Sequence, residues 1–196
     1  MVTRSDQSGP APAGKAADET YWVSQAVTSP IGPITLTGDG IAIVRVEWRD
    51  SEPDPNDSEG SADHPTNSAT AKDPITSAAV DQLRRYFEGQ LIDFDLPISF
   101  GHISDVATAV LTTLAKSVEY GSTVTYGELA DRSGTGIPAR AVGGIMGLNP
   151  LPIIVPCHRV VASDGLGGYS GGLPGRGLET KRWLLEFEDA LPRPLF

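Results

Sequence analysis

Ala139-Arg140-Ala141-Val142-Gly143-Gly144-Ile145-Met146-Gly147 leads, through Asn149-Pro150-Leu151-Pro152 and Ile153-Ile154-Val155, into Pro156-Cys157-His158-Arg159-Val160. The first part reads as a short helix: Pro138 suits its opening turn, and Asn149-Pro150 closes it. The apolar run Pro152–Val155 reads as a strand that ends in Pro156 and sets Cys157 at its exit. Cys157 is the only cysteine in the chain, and a glycine-rich stretch from Gly165 to Gly172 follows it. Free Cys is among the most buried residue types, so a core thiol is one reading. The other is a nucleophile, because polar, Gly-rich chain beyond the strand lets a ligand approach. On the residues alone the two stand level.

Upstream, Thr125 with Glu128 three residues on is a capping pair for a helix through Leu129 and Ala130, and Ser133-Gly134-Thr135-Gly136 is a turn. Two short helices joined by a glycine-containing turn make a helix-turn-helix. Its second helix has small residues and one charge, Arg140, where a helix that reads base edges carries several long polar arms. Tight packing on a neighbouring helix and close approach to an outside surface both fit such a helix. Before this unit, Ser104 caps a helix with an apolar stripe of Val106, Val110, Leu111, Leu114 and Val118.

The first half has a different grain. Tyr21–Val27, Gly32–Thr37 and Ile41–Trp48 read as strands of an antiparallel meander, with Asp39-Gly40 as a turn. Pro74–Glu88 carries Ile75, Ala79, Leu83 and Phe87 at a helical period, and Leu91–Ile98 reads as a further strand. The fold class expected is therefore an α/β N-terminal domain, a small antiparallel sheet plus helix, followed by a mainly α C-terminal domain with a helix-turn-helix. Residues 1–20 read as a disordered tail, 21–99 as the first domain with an acidic loop over 50–73, and 100–196 as the second. The first domain shows no chemistry of its own and reads as a scaffold.

The chain has 196 residues and a formal net charge of −10. Residues 1–100 hold 7 basic and 16 acidic residues, residues 101–196 hold 8 and 9, so the excess sits in the first half. That is neutral for nucleic-acid binding by the second half, with weaker salt dependence than a basic protein shows. A single cysteine excludes an internal disulfide and a cysteine-rich zinc site. No apolar run approaches a membrane span, and residues 1–20 lack a signal-peptide core. A thiol that must stay reduced suits the cytoplasm, which is the expected location.

Pro156-Cys157-His158-Arg159-Val160, with Ala139–Gly143, Asn149–Pro152, Val124-Thr125-Tyr126-Gly127, Gly168–Gly172 and Lys181-Arg182-Trp183-Leu184-Leu185, resembles the O6-alkylguanine-DNA alkyltransferases, the methylated-DNA–protein-cysteine methyltransferases. The likeness runs from about Phe100 to Glu188, and the first half matches only in its order of elements. It implies a DNA-binding alkyltransferase domain over 100–196 and direct reversal of O6-alkylguanine, mainly methyl, by one irreversible transfer to Cys157. A free thiol is only a few per cent thiolate at neutral pH, so a lowered pKa would raise reactivity roughly tenfold or more. By resemblance His158 takes the thiol proton through a water, and Glu188, rather than Glu186, orients and stabilises the imidazolium. Asn149 would brace the turn before the active-site strand, and Tyr126 would donate a hydrogen bond to the guanine ring. Backbone carbonyls of Val160 and Cys157 would meet the exocyclic amine, the Ser170 amide would hold the guanine oxygen, and Tyr169 and Pro152 would wall the alkyl pocket.

The base must leave the duplex to reach such a sulfur. Arg140 would fill the gap from the minor groove, with Ala139, Ala141 and Gly143 letting the helix come close. Sequence preference should then be slight. The implied partner is double-stranded DNA bearing O6-alkylguanine, with O4-alkylthymine as a second candidate lesion. A monomer is expected, with no cofactor, metal or membrane. Two other readings are a non-catalytic damage sensor, against which the Cys157-His158-Glu188 set speaks, and a cysteine hydrolase, for which no oxyanion arrangement can be assigned.

Overall fold

The computed structural model describes residues 22–49 and 73–191. The expected tail over 1–20, Tyr21, the acidic stretch through Lys72 and residues 192–196 lie outside the described residues. Strands β1 (Val23–Val27), β2 (Ile34–Gly38) and β3 (Ile43–Trp48) form an antiparallel sheet in that order. The β2–β3 turn closes on the Asp39 carboxylate, which accepts the amides of Ile41 and Ala42 at 2.9 and 2.7 Å. This is an Asx turn, and Gly40 supplies the left-handed residue at φ 83°.

Helix α1 (Pro74–Phe87) packs on this sheet. Asp73, assigned above to the acidic loop, is instead the buried N-cap: its carboxylate accepts the Thr76 amide and hydroxyl, each at 2.7 Å. The buried face is Thr76, Ala79, Val80, Leu83 and Tyr86, so Ile75 and Phe87 flank the expected stripe rather than define it. Leu91–Ile98 is not a strand, and only Ile98 bridges to Ile43. Pro97 lacks an amide donor, and the Gln82 side chain takes the place of a strand partner. That side chain donates to Asp95 O at 2.8 Å and accepts the Asp95 amide at 2.9 Å.

Helix α2 (Asp105–Ser117) starts from Ser104, whose hydroxyl accepts the Ala107 amide at 3.2 Å. Val106 is 41% exposed and Ala107 takes its place on the buried stripe. The two-residue β4 (Val124–Thr125) runs into α3 (Tyr126–Ser133), where Thr125 and Glu128 form the expected reciprocal capping box. Gly134 ends α3 in the left-handed region at φ 63°, and α4 (Ala139–Gly147) follows, capped by Pro138. Val142, Ile145 and Met146 anchor α4 in the core. The helix-turn-helix is thus formed as read.

Pro152–Val155 departs from its reading as a strand. It is a tight turn in which the Val155 amide donates to Leu151 O at 2.8 Å and Ile153 takes φ 75°. Cys157–Arg159 form one 3-10 turn, and the strand comes after it: β5 (Val160–Val161) pairs in parallel with β4. Helix α5 (Gly177–Phe187) ends at Glu188. One core joins the halves, with Leu36, Ile43, Leu83, Leu111, Leu129, Val155 and Leu184 all buried in it. The Val46 amide donates to Pro150 O at 2.9 Å, which ties β3 to the turn below α4. Among the described residues no helix is long and apolar enough to cross a membrane.

Candidate active site

Three devices place the thiol. The turn from Leu151 to Val155 reverses the chain, and a left-handed β-branched residue such as Ile153 persists only where its surroundings force it. Asn149 supplies that force: its Oδ1 accepts the Leu151 amide at 3.0 Å, and its Nδ2 donates to Val155 O at 2.8 Å. The same Nδ2 lies 3.1 Å from Cys157 Sγ, so the brace is also a donor to sulfur. The β4–β5 pairing then sets Thr125 opposite Val161, which brings Tyr126 to the mouth of the site.

The result is a cavity of about 180 Å³ lined by Tyr126, Gly143, Met146, Gly147, Cys157, Gly168, Tyr169 and Ser170. Of the expected residues, Cys157, Tyr126, Tyr169, Ser170 and Gly143 meet there. Pro152 is buried but stands outside that lining, as does Val160. Tyr126 donates to Gly168 O at 3.5 Å. Gly167 must be glycine, because its φ is 67° and a Cβ would sit 2.8 Å from the Tyr126 ring.

Behind the thiol lies a buried polar network. Glu188 Oε1 is 3.0 Å from His158 Nε2, and both side chains are wholly inaccessible. Arg159 grips the same carboxylate through Nε at 2.8 Å and Nη2 at 3.0 Å, while its Nη1 donates to Val118 O at 2.8 Å. The Tyr86 hydroxyl donates to Oε1 at 2.7 Å. Burial would raise the Glu188 carboxyl, but His158 and Arg159 outweigh it and hold it at about 2. A carboxylate can only accept, so Nε2 carries the imidazole proton and Nδ1 the lone pair. Nδ1 is buried without a hydrogen-bond partner among the described residues. Burial lowers the His158 pKa, which favours the neutral ring with its lone pair at Nδ1.

The thiol departs from the lowered pKa expected of it. Burial pushes it up to about 11, against the opposing pull of the Asn149 amide and the Lys181 charge. Both shifts favour the uncharged forms of these two consecutive side chains. Lys181 is fully buried and donates to Val160 O at 2.6 Å and Gly168 O at 2.9 Å. Burial brings it down to about 8, opposed by Cys157. The Cys157 carbonyl accepts the Val160 amide, so the two carbonyls expected to face substrate each already hold one donor.

Arg159, Lys181 and Tyr86 were not singled out from the sequence. Lys181 shares a helix face with Leu184 and Leu185, and Arg159 sits in an apolar stretch; each pattern signals a buried cation. Ala139, Arg140, Ala141, Gly143, Gly144 and Gly147 are exposed on α4. A Cβ at Gly144 or Gly147 meets nothing within 4 Å, so internal packing does not demand those glycines. This favours close approach from outside over tight helix packing.

Three of the shifts share one sign. Glu188, His158 and Lys181 all titrate lower in the fold than in the open chain, so the unfolded chain binds more protons. On the acid side stability should fall with falling pH, most steeply through the Glu188 window from 4.5 towards about 2. The raised Cys157 thiol, by contrast, contributes stability that is lost as pH rises towards about 11. Thermal melts across pH check this, and Glu188→Gln should flatten the acid limb.

Residues 22–100 match the model of the 6-O-methylguanine DNA methyltransferase ribonuclease-like domain, and residues 105–190 that of its DNA binding domain. The methylated-DNA–protein-cysteine methyltransferase of Mycobacterium bovis is 40% identical over 165 residues, 84% of this chain and 90% of that protein. That of Methanopyrus kandleri is 47% identical over 111 residues, 56% of this chain and 78% of that protein. The crystal structure of Mycobacterium tuberculosis OGT in complex with DNA is 36% identical with a TM-score of 0.68, covering 87% of this chain and 93% of that one. With likeness carried through both halves and the lone thiol seated where the helix-turn-helix meets the glycine loop, the chain belongs to the methylated-DNA–protein-cysteine methyltransferase family.

Proposed function

We propose that this protein repairs O6-alkylguanine in double-stranded DNA, mainly the methyl adduct, by a single irreversible transfer of the alkyl group to Cys157. The observation that carries this reading is a thiol at a cavity wall followed in the chain by a buried imidazole whose Nδ1 has no hydrogen-bond partner among the described residues. In the step, Sγ forms a bond to the alkyl carbon as the carbon–O6 bond breaks. The thiol proton passes through one water to His158 Nδ1, and the electron pair leaves with the guanine. Glu188 stabilises the imidazolium, and Lys181 and the Asn149 amide stabilise charge on sulfur. Tyr126 donates to the departing ring, the Ser170 amide holds its oxygen, and the second lone pairs of the Val160 and Cys157 carbonyls take its amine. Tyr169, with Pro152 behind, bounds the alkyl group.

The lesion reaches sulfur by rotating out of the duplex. The exposed small-residue face of α4 approaches the minor groove, and Arg140 fills the vacated place in the stack. Arg140→Ala should therefore slow repair of duplex DNA by about 10- to 100-fold, corresponding to the few kcal/mol of unstacking it offsets. Its rate with free alkylguanine base should be unchanged, and parallel single-turnover assays separate the two. The same reading takes the chain as a cytoplasmic monomer divided into 21–99 and 100–196, with O4-alkylthymine as a lesser substrate. Intact-mass measurement after mixing with an O6-methylguanine duplex tests the core of it: one methyl group per chain and no turnover. An unmodified, persistent complex would favour a damage sensor instead.

A further inference from the structure

We infer that Tyr86, on α1 in the first half of the chain, is a positioning residue for the reaction at Cys157, holding the Glu188 carboxylate on His158. This rests on the alkyl-transfer reading above. Glu188 Oε1 is shared by three donors: Tyr86 at 2.7 Å, His158 Nε2 at 3.0 Å and Arg159 Nη2 at 3.0 Å. Arg159 spans both carboxylate oxygens, so by itself it draws the group into a two-point pair that has no need of the imidazole. Tyr86 acts from another element and fixes Oε1 against that pull.

The tyrosine is built to stay in place. Its ring is 1% exposed and meets Phe87 and Phe187 edge-on at 5.1 and 5.5 Å, with Phe94 at 5.5 Å and Tyr120 at 6.3 Å. A phenylalanine ring satisfies that packing equally well, so the hydroxyl serves the carboxylate. Burial, and then the neighbouring Glu188 charge, push its pKa well above the ordinary value, which keeps the donor proton on at any working pH. The charged and titratable groups acting on Glu188, His158 and Tyr86 are, besides these three themselves, Arg159 from the 3-10 turn, Lys181 from α5, and Tyr120 and Tyr169. On this inference the first half, read from sequence as a scaffold, supplies through α1 a group that holds the carboxylate.

The test compares wild type with Tyr86→Phe. Iodoacetamide trapping across pH reports thiol ionisation, single-turnover reaction with free O6-benzylguanine reports transfer, and binding of an undamaged duplex reports the DNA face. Tyr86→Phe should move the thiol ionisation midpoint up by about one pH unit and slow transfer at neutral pH about tenfold, the size of one hydrogen bond to a charge. Duplex binding should not change. Tyr120→Phe removes a hydroxyl from the same aromatic cluster, where it donates to Phe187 O at 3.4 Å, and serves as the packing control. It should keep the wild-type ionisation midpoint. A wild-type midpoint in Tyr86→Phe, or an equal shift in Tyr120→Phe, overturns the inference. Failure of wild type to form a thioether with the alkylguanine would instead sink the alkyl-transfer reading, while the iodoacetamide profile still judges Tyr86.

Discussion

Cys157→Ser abolishes thioether formation on an O6-methylguanine duplex, with no methyl adduct detected by intact mass under conditions where wild type reacts to completion. Oxygen can occupy the place of Sγ and still accept from Asn149 Nδ2, so the variant should fold, with stability within about 1 kcal/mol of wild type. The loss is chemical. A serine hydroxyl gives up its proton far less readily than a thiol, and its oxygen is a poor nucleophile toward saturated carbon. His158 alone cannot make up that difference. Retained duplex binding by the variant would show that the DNA face and the reacting atom are separable. Transfer by the serine variant would exclude Cys157 as the acceptor.

Glu188→Ala is the substitution with the largest expected effect on stability. It leaves the Arg159 guanidinium buried with Val118 O as its one remaining acceptor among the described residues, and it strands the Tyr86 hydroxyl and His158 Nε2. Removing one partner of a buried ion pair costs about 3–5 kcal/mol, because the remaining charge is left uncompensated. For a chain of this size that lowers the melting temperature by roughly 10 °C. Denaturant unfolding measures it directly. Alkyl transfer should be lost as well, and reaction at low temperature, where the variant is still folded, distinguishes that from simple unfolding. A change below about 1 kcal/mol would show that water relieves the stranded groups.

Much of the second half was legible because its signals are local. The Thr125–Glu128 capping box, the Ser104 cap and the Gly134 stop each act over three or four residues, and each is present as read. The misreadings fall where a distant group decides the outcome. Pro152–Val155 has the apolar composition of a strand, yet the Asn149 side chain bends it into a turn. Leu91–Ile98 alternates like a strand, yet Gln82 occupies its hydrogen-bonding edge. Asp73 belongs by composition to the acidic stretch, but its position before Pro74 makes it a cap. At the site, Cys157, Tyr126, Tyr169 and Ser170 come together as motif residues should. The apolar neighbours of Lys181 and Arg159 signal burial, but not which buried carbonyl or carboxylate each cation holds. Tyr86 lies 102 residues from its partner Glu188, and no periodicity encodes such a pairing.

Ile153 carries one last implication. A β-branched residue held at φ 75° keeps torsional energy of about 1–3 kcal/mol in the loop that delivers the thiol. The folded chain bears that load before any lesion arrives, so the sulfur has little orientational entropy left to lose on meeting its target. Ile153→Gly would relax the backbone but also empty a fully buried side-chain site, so the protein should lose heat tolerance and aim together.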